Sequence, residues 1–229
     1  MSLGNLKRRM SPMDAFFLFM EREEEPMSVG CVAQFEGKIP FKKFVSHIES
    51  RLHLIPRYRQ RVVPAPFNIG MPTWEFDPDF DIHNHIHQVT LDEPGDDRAL
   101  RELAGELFRG MLDRSKPLWE IHVIEGLTGN RTGMFVRVHH CMVDGISGIS
   151  LMYVLFDAWP KSEKIKKEKY DPPAIPNQAQ LLYDALWDNA TDSLEHWSRF
   201  QKSLGEYAKG LDSSHSIPPI KDFRGGMRD

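Results

Sequence analysis

Along this chain the apolar positions switch between a spacing of about 3.6 and a spacing of about 2, the signatures of amphipathic helices and of half-buried strands. From Arg98 to Leu112 they fall at Leu100, Leu103, Ala104, Leu107, Phe108, Met111 and Leu112, which predicts a helix with one apolar stripe, barred from continuing by Pro117. Phe41, Phe44, Val45, Ile48, Leu52 and Ile55 predict a second helix, broken by Pro56. Ser11-Pro12-Met13-Asp14 opens a short helix whose residues 15–20 are apolar all round, so it is expected to be buried or to line a pocket. Met27 to Phe35 alternates loosely and reads as a strand ended by Gly37, and Trp74-Glu75-Phe76 reads as an edge strand in a stretch rich in proline and glycine. Trp119, Ile121 and Val123 alternate with polar neighbours, Leu127-Thr128-Gly129-Asn130 forms a turn, and Met134 to Val138 is a short run suited to a buried strand. The two strands therefore predict a hairpin. Beyond it, Ile146, Ile149, Met152, Tyr153 and Phe156 return to helical spacing.

This mixture predicts an α/β fold, a mixed sheet flanked by helices, over residues 11–159. Residues 160–177 change character, being charged and proline-rich, and read as a linker or surface crossover. Residues 178–211 carry apolar positions at helical spacing and predict a long amphipathic helix, followed by a polar tail over 212–229. No internal repeat is visible.

Composition narrows the class. At 229 residues the chain is long enough to bury a substantial core. A formal charge of -4, without interleaved aromatic and basic residues, gives no basis for nucleic-acid binding. Two cysteines, Cys31 and Cys141, make no disulfide framework and fit a reducing cytoplasm. No run approaches the length of a membrane span, and Met13 to Met20 is too short for a secretory signal, so a cytoplasmic location is expected.

The candidate chemistry sits at the end of the second hairpin strand, where His139-His140-Cys141-Met142-Val143-Asp144-Gly145 reads H-H-x-x-x-D-G. The motif lies where a buried strand feeds a helix, a place where a scaffold can present a side chain to a cavity. An imidazole there can take and return a proton at neutral pH. No serine or cysteine is framed by a nucleophile elbow, so the simplest mechanism is general-base catalysis by His140 without a covalent enzyme intermediate. Asp144, ahead of Gly145, can relay to the histidine or lock the loop by pairing with an arginine. Arg57-Tyr58-Arg59-Gln60-Arg61 supplies three arginines that would share one face of an extended segment. His83, His85 and His87 also recur at period two, but no acid or cysteine completes a ligand set, so a polar loop and no metal are expected.

Taken together, several stretches resemble one family. Ser11-Pro12-Met13-Asp14-Ala15, Met27-Ser28-Val29-Gly30, Phe76-Asp77-Pro78-Asp79-Phe80-Asp81, Leu112-Asp113-Arg114-Ser115-Lys116-Pro117-Leu118-Trp119-Glu120, Glu125-Gly126-Leu127 and the H-H-x-x-x-D-G block occur in order between residues 11 and 157. They are similar to the N-terminal half of the bacterial wax ester synthase/diacylglycerol acyltransferases, in the CoA-dependent acyltransferase superfamily. The resemblance implies one lobe of a two-lobed, chloramphenicol-acetyltransferase-like fold. It implies transfer of a fatty acyl group from acyl-CoA, a substrate and not a resident cofactor, to diacylglycerol or a long-chain alcohol. His140 becomes the base and Asp144 a mainly structural partner of an arginine, with Arg57 first and Arg59 and Arg61 behind it. His139 and Gly145 support the motif, and Pro117, Leu118 and Trp119 shape the acyl or alcohol region or hold the hairpin.

Family members are about twice this length, and their second half carries an N-D-V-V-L-A signature that has no counterpart here. A second lobe from the same gene is therefore an expected partner, and peripheral contact with a membrane or lipid droplet is compatible with the resemblance. Two other readings stand beside it: an acyltransferase on the same scaffold with another acceptor, and a non-catalytic interaction module.

Overall fold

The computed structural model describes residues 8–143, 165, 167–193 and 202. Asp144, Gly145, the helix expected over Ile146 to Phe156, most of the first part of the linker, the expected helix beyond residue 193 (residue 202 apart) and the tail lie outside the described residues.

The helix α1 (Pro12–Met20) starts as the sequence predicts, with the Ser11 hydroxyl accepting from the Asp14 amide and Pro12 in the first turn. Strand β1 (Ser28–Glu36) and helix α2 (Phe41–Arg51) follow. The chain then turns through two short 3-10 segments, Leu52–Leu54 and Pro56–Arg59, into β2 (Gln60–Val63), which pairs antiparallel with β3 (Thr73–Phe76). Strand β4 (Ile86–Thr90), helix α3 (Asp97–Leu107) and the hairpin β5 (Trp119–Leu127) and β6 (Arg131–His139) complete the lobe. A further helix runs over residues 178–193.

The main sheet has the order β1-β6-β5-β4. Its first two ladders are antiparallel and β4 pairs parallel with β5, so the sheet is mixed, as the pattern of elements implied. Helix α3 connects the parallel pair, since antiparallel neighbours can turn back directly but parallel ones need a crossover. Its Leu100 and Ala104 pack on Ile124, Leu127 and Phe135, covering one face. The opposite face, with Ile121, Val123, Met134 and Val136, forms the larger core with Phe44, Val45 and Ile48 of α2 and with Trp74. Each such aliphatic side chain contributes about 1.5–3 kcal/mol by leaving water. The turn that leads into α3 needs glycine: Gly95 has φ 63°, and a Cβ there would lie 2.0 Å from the carbonyl oxygen of Gly126.

Three expectations change, and a fourth is met in one of its two forms. Helix α3 stops at Leu107, with Asp96 capping its start, so Met111 and Leu112 belong to the loop although they continue the stripe; Leu112 still reaches the core. Helix α2 stops at Arg51, and its last two apolar positions sit in the 3-10 turn and just beyond it. The all-apolar α1 buries only Ala15 and Leu18 and leaves Met13, Phe16 and Phe19 largely exposed, while Met13 and Phe17 line a cavity, the alternative expected of this helix. The three arginines do not share one face, because Arg57 and Arg59 lie on a 3-10 turn and only Arg61 on a strand.

Candidate active site

Strand β6 delivers the two histidines, and the next few residues decide where they point. The His139 amide donates to the Leu118 carbonyl (2.9 Å) and the His140 amide to the Met27 carbonyl (2.8 Å), so the strand's end is held from both neighbouring strands' approaches. A 3-10 turn over His140–Met142 then reverses the chain. The turn places the two imidazoles in different surroundings.

His139 is fully buried, and its Nδ1 accepts from the Cys141 amide (3.0 Å), which puts the ring proton on Nε2. That nitrogen lies 3.3 Å from Oε2 of Glu21, a close polar contact without hydrogen-bond alignment. Glu21 has a side chain with no exposed surface. It accepts from Nη2 of Arg114 (2.9 Å) and from the Met27 amide (3.0 Å). The same Arg114 nitrogen donates to the Leu18 carbonyl in the last turn of α1 (2.7 Å). One buried carboxylate thus ties α1, the start of β1, the loop before β5 and the H-H motif together.

His140 is only half-buried. Its ring stacks on Phe17 of α1, with centroids 3.8 Å apart and planes 21° from parallel. Its Nδ1 is buried and has no hydrogen-bond partner among the described residues. The ring lines a cavity of about 570 Å³ whose walls include Met13, Asp14, Phe17, Arg57, Trp74 and Val143. That volume falls in the range of small-molecule sites, and an apolar wall with a few polar groups is their usual chemistry. Arg57 stands over the Trp74 ring at 4.5 Å and donates to Oε1 of Gln60 (2.8 Å). Of the three arginines it is the one placed in the His140 cavity. Arg59 lies against Tyr170 instead, and Arg61 donates to the Ser115 carbonyl.

Burial pushes the Cys141 thiol far above its ordinary range. A thiol held neutral is a poor nucleophile, so the cysteine beside His140 serves packing, within the larger core.

Pro117, Leu118 and Trp119 lie behind the site. The Leu118 and Trp119 side chains are buried, and neither these two nor Pro117 lines the His140 cavity. The Trp119 indole donates to the Tyr58 carbonyl (2.8 Å), fixing the turn that carries Arg57. His85 stacks on the other side of Trp119 at 4.5 Å, and its Nδ1–H donates to the Trp119 carbonyl (3.0 Å). The expected polar loop at the histidine cluster is therefore a correction: His85 is buried in front of β4, His87 is on that strand, and His83 sits in a separate 3-10 turn. Three rings at period two would need one continuous strand to meet. Among the described residues no group of three metal-ligating side chains gathers.

The buried histidines give a pH dependence. Desolvation by burial lowers the pKa of His85 and of His139 below the ordinary 6.5; Glu21 opposes the shift only in part at His139. Both rings are thus neutral in the fold and easier to protonate once unfolded. Their stabilising contribution is complete above about pH 6.5 and is lost as pH falls below it towards their lowered values. The urea midpoint should fall between pH 7.5 and pH 5.0, and His85→Phe should make that fall shallower. An identical slope in the variant would show that His85 has no part in it.

Sequence reading did not single out Glu21 or Phe17, and named Asp14 and Arg114 only within their motifs. A lone acid closing an apolar helix and an arginine inside the L-D-R-S-K-P-L-W stretch were the only signals.

The wax ester synthase/diacylglycerol acyltransferase catalytic domain matches residues 10–212. The chain is 32% identical over 183 residues to "Probable diacyglycerol O-acyltransferase tgs3" of Mycobacterium tuberculosis, covering 79% of this chain and 68% of that protein. It is 38% identical over 151 residues to the tgs1 protein of the same organism, covering 65% of this chain and 33% of the relative. Among solved structures, the wax ester synthase/diacylglycerol acyltransferase of Marinobacter aquaeolei VT8 superposes with a TM-score of 0.59 at 26% identity, over 69% of this chain and 39% of that one. The starter condensation domain of rhizomide synthetase RzmA shares the fold alone, with a TM-score of 0.55 at 13% identity over 93% of this chain and 50% of its own. With a buried hairpin that carries His140 to a cavity and seals His139 beside it, and a domain match spanning most of its length, the chain belongs to the wax ester synthase/diacylglycerol acyltransferase catalytic-domain family.

Proposed function

We propose that this chain carries the base-bearing lobe of an acyl-CoA-dependent O-acyltransferase that esterifies diacylglycerol or a long-chain alcohol, with His140 as general base. The observation that carries the reading is the placement of His140 on the wall of a largely apolar cavity, braced by Phe17. The acceptor hydroxyl gives its proton to the imidazole while its oxygen attacks the thioester carbonyl. The tetrahedral intermediate then collapses, the C–S bond breaks, and the proton passes to the departing CoA thiolate. Acyl-CoA is a substrate in this scheme, and no resident cofactor takes part. Asp144 is the partner of an arginine, for which Arg57 is the choice, since it stands in the same cavity.

The short coverage of tgs1 and of the Marinobacter enzyme supports a second lobe, from the same polypeptide, as the other wall of the cavity. No helix among the described residues is long and apolar enough to cross a membrane. The exposed Met13, Phe16 and Phe19 of α1 support peripheral contact with lipid.

The test is to offer the active enzyme palmitoyl-CoA with hexadecanol, diacylglycerol and a long-chain amine. Ester products with one CoA released per ester are expected. Amide product alone would replace the hydroxyl acceptor, and no acyl transfer to any of the three would overturn the reading.

A further inference from the structure

A second cavity, separate from the one at His140, lies between the 3-10 turns after α2, the strand β3 and the segment over residues 168–173. Its volume is about 340 Å³. Arg59, His53 and Lys169 line it together with the acids Glu168 and Asp171, and Phe76, Tyr170 and Pro172 are among the walls. Arg59 is 7% exposed, and its Nε is buried without a hydrogen-bond partner. His53 Nδ1 is likewise buried and unpartnered.

The position of Arg59 is fixed by its backbone. Its carbonyl accepts from the Asp77 amide (3.0 Å) and from the Tyr170 hydroxyl (3.4 Å), and that hydroxyl also reaches the Asp77 carbonyl (2.8 Å). The Tyr170 ring then covers the guanidinium, with its central carbon 5.0 Å from the ring centroid. The nearest acids do not neutralise the cation by contact. Glu49 is held by Lys167 at 2.7 Å, and Glu168 lies on an exposed segment at the cavity wall, without an ion pair to Arg59 among the described residues. Both act on Arg59 only at a distance. A buried guanidinium without an anion is costly, and native structures almost always satisfy such a group.

We propose that this cavity is a binding site for a small organic anion, an oxyanion head on an apolar stem, whose head is held by Arg59 and His53 and whose stem lies on Phe76, Tyr170 and Pro172. A planar guanidinium suits a two-oxygen head. The site shares no lining residue with the His140 cavity, so it adds to the proposed acyl transfer and does not depend on it.

Sodium octanoate and inorganic phosphate, titrated calorimetrically at low ionic strength, test this. Saturable binding of one equivalent is expected, weakened at least tenfold in Arg59→Gln. Tighter octanoate assigns a carboxylate with a stem; tighter phosphate assigns a phosphate head. Octanoate held in the His140 cavity instead would bind Arg59→Gln as it binds the unaltered protein, which overturns the proposal, as does failure of both ligands to bind. If Arg59→Gln does not fold, Glu168→Gln decides, because Glu168 is exposed and its charge competes with the ligand. Binding two- to threefold tighter supports the site, and unchanged or weaker binding overturns it.

Discussion

His140→Ala should lower acyl transfer about 100- to 10,000-fold, the range that a positioned proton acceptor supplies. The protein should stay folded, because the ring is only half-buried and its side chain makes no hydrogen bond among the described residues. In the proposed mechanism the substitution removes the group that would take the hydroxyl proton, and with it one face of the stack on Phe17. The neighbouring His139 cannot substitute. Its Nδ1 is occupied by the Cys141 amide, and its Nε2 is turned to Glu21 and away from open space. Turnover of the active enzyme with palmitoyl-CoA and hexadecanol is the measurement, with the far-ultraviolet circular dichroism unchanged. Turnover within threefold of the unaltered enzyme would remove His140 from the chemistry, whatever else the cavity does.

Glu21→Ala is expected to be the most damaging single change to stability, at about 3 kcal/mol. It strands three groups at once: the Arg114 guanidinium, the Met27 amide and the His139 ring. Breaking a fully buried pair costs about 3–5 kcal/mol, but the Arg114 side chain is 38% exposed and can recover water, which places the loss at the low end. With a urea dependence of about 2 kcal/mol per molar, the midpoint should drop by about 1.5 M. Glu23→Ala, an exposed acid two residues on, should leave it nearly unmoved. Activity should fall with Glu21→Ala as well, since Met27 also accepts from the His140 amide and Arg114 holds the helix that carries Phe17. A midpoint within about 0.3 M of the unaltered protein would mean that the carboxylate does not hold these elements together.

The elements were legible where local chemistry and long-range packing agree. The β5–β6 hairpin is one case: its buried run, its turn residues and its partner strand all demand the same structure. The helix start at Ser11 is another, since a capping oxygen acts within three residues. Helix ends were less legible. Leu112 continues the stripe of α3 by spacing, yet it reaches the core from a loop. Periodicity records which residues seek the interior, not which backbone carries them there.

The motif at His139 and His140, the mixed sheet and the family were therefore present in the order of residues alone, because each rests on near neighbours or on a run of spaced matches. Which histidine is sealed and which meets a cavity, that Arg57 and not Arg59 stands beside His140, and that Glu21 joins four separate segments were decided by the fold. Those facts depend on distances between residues far apart along the chain, such as the 93 positions between Glu21 and Arg114. Only the closed core sets such distances, and only its exclusion of water makes a single carboxylate matter so much.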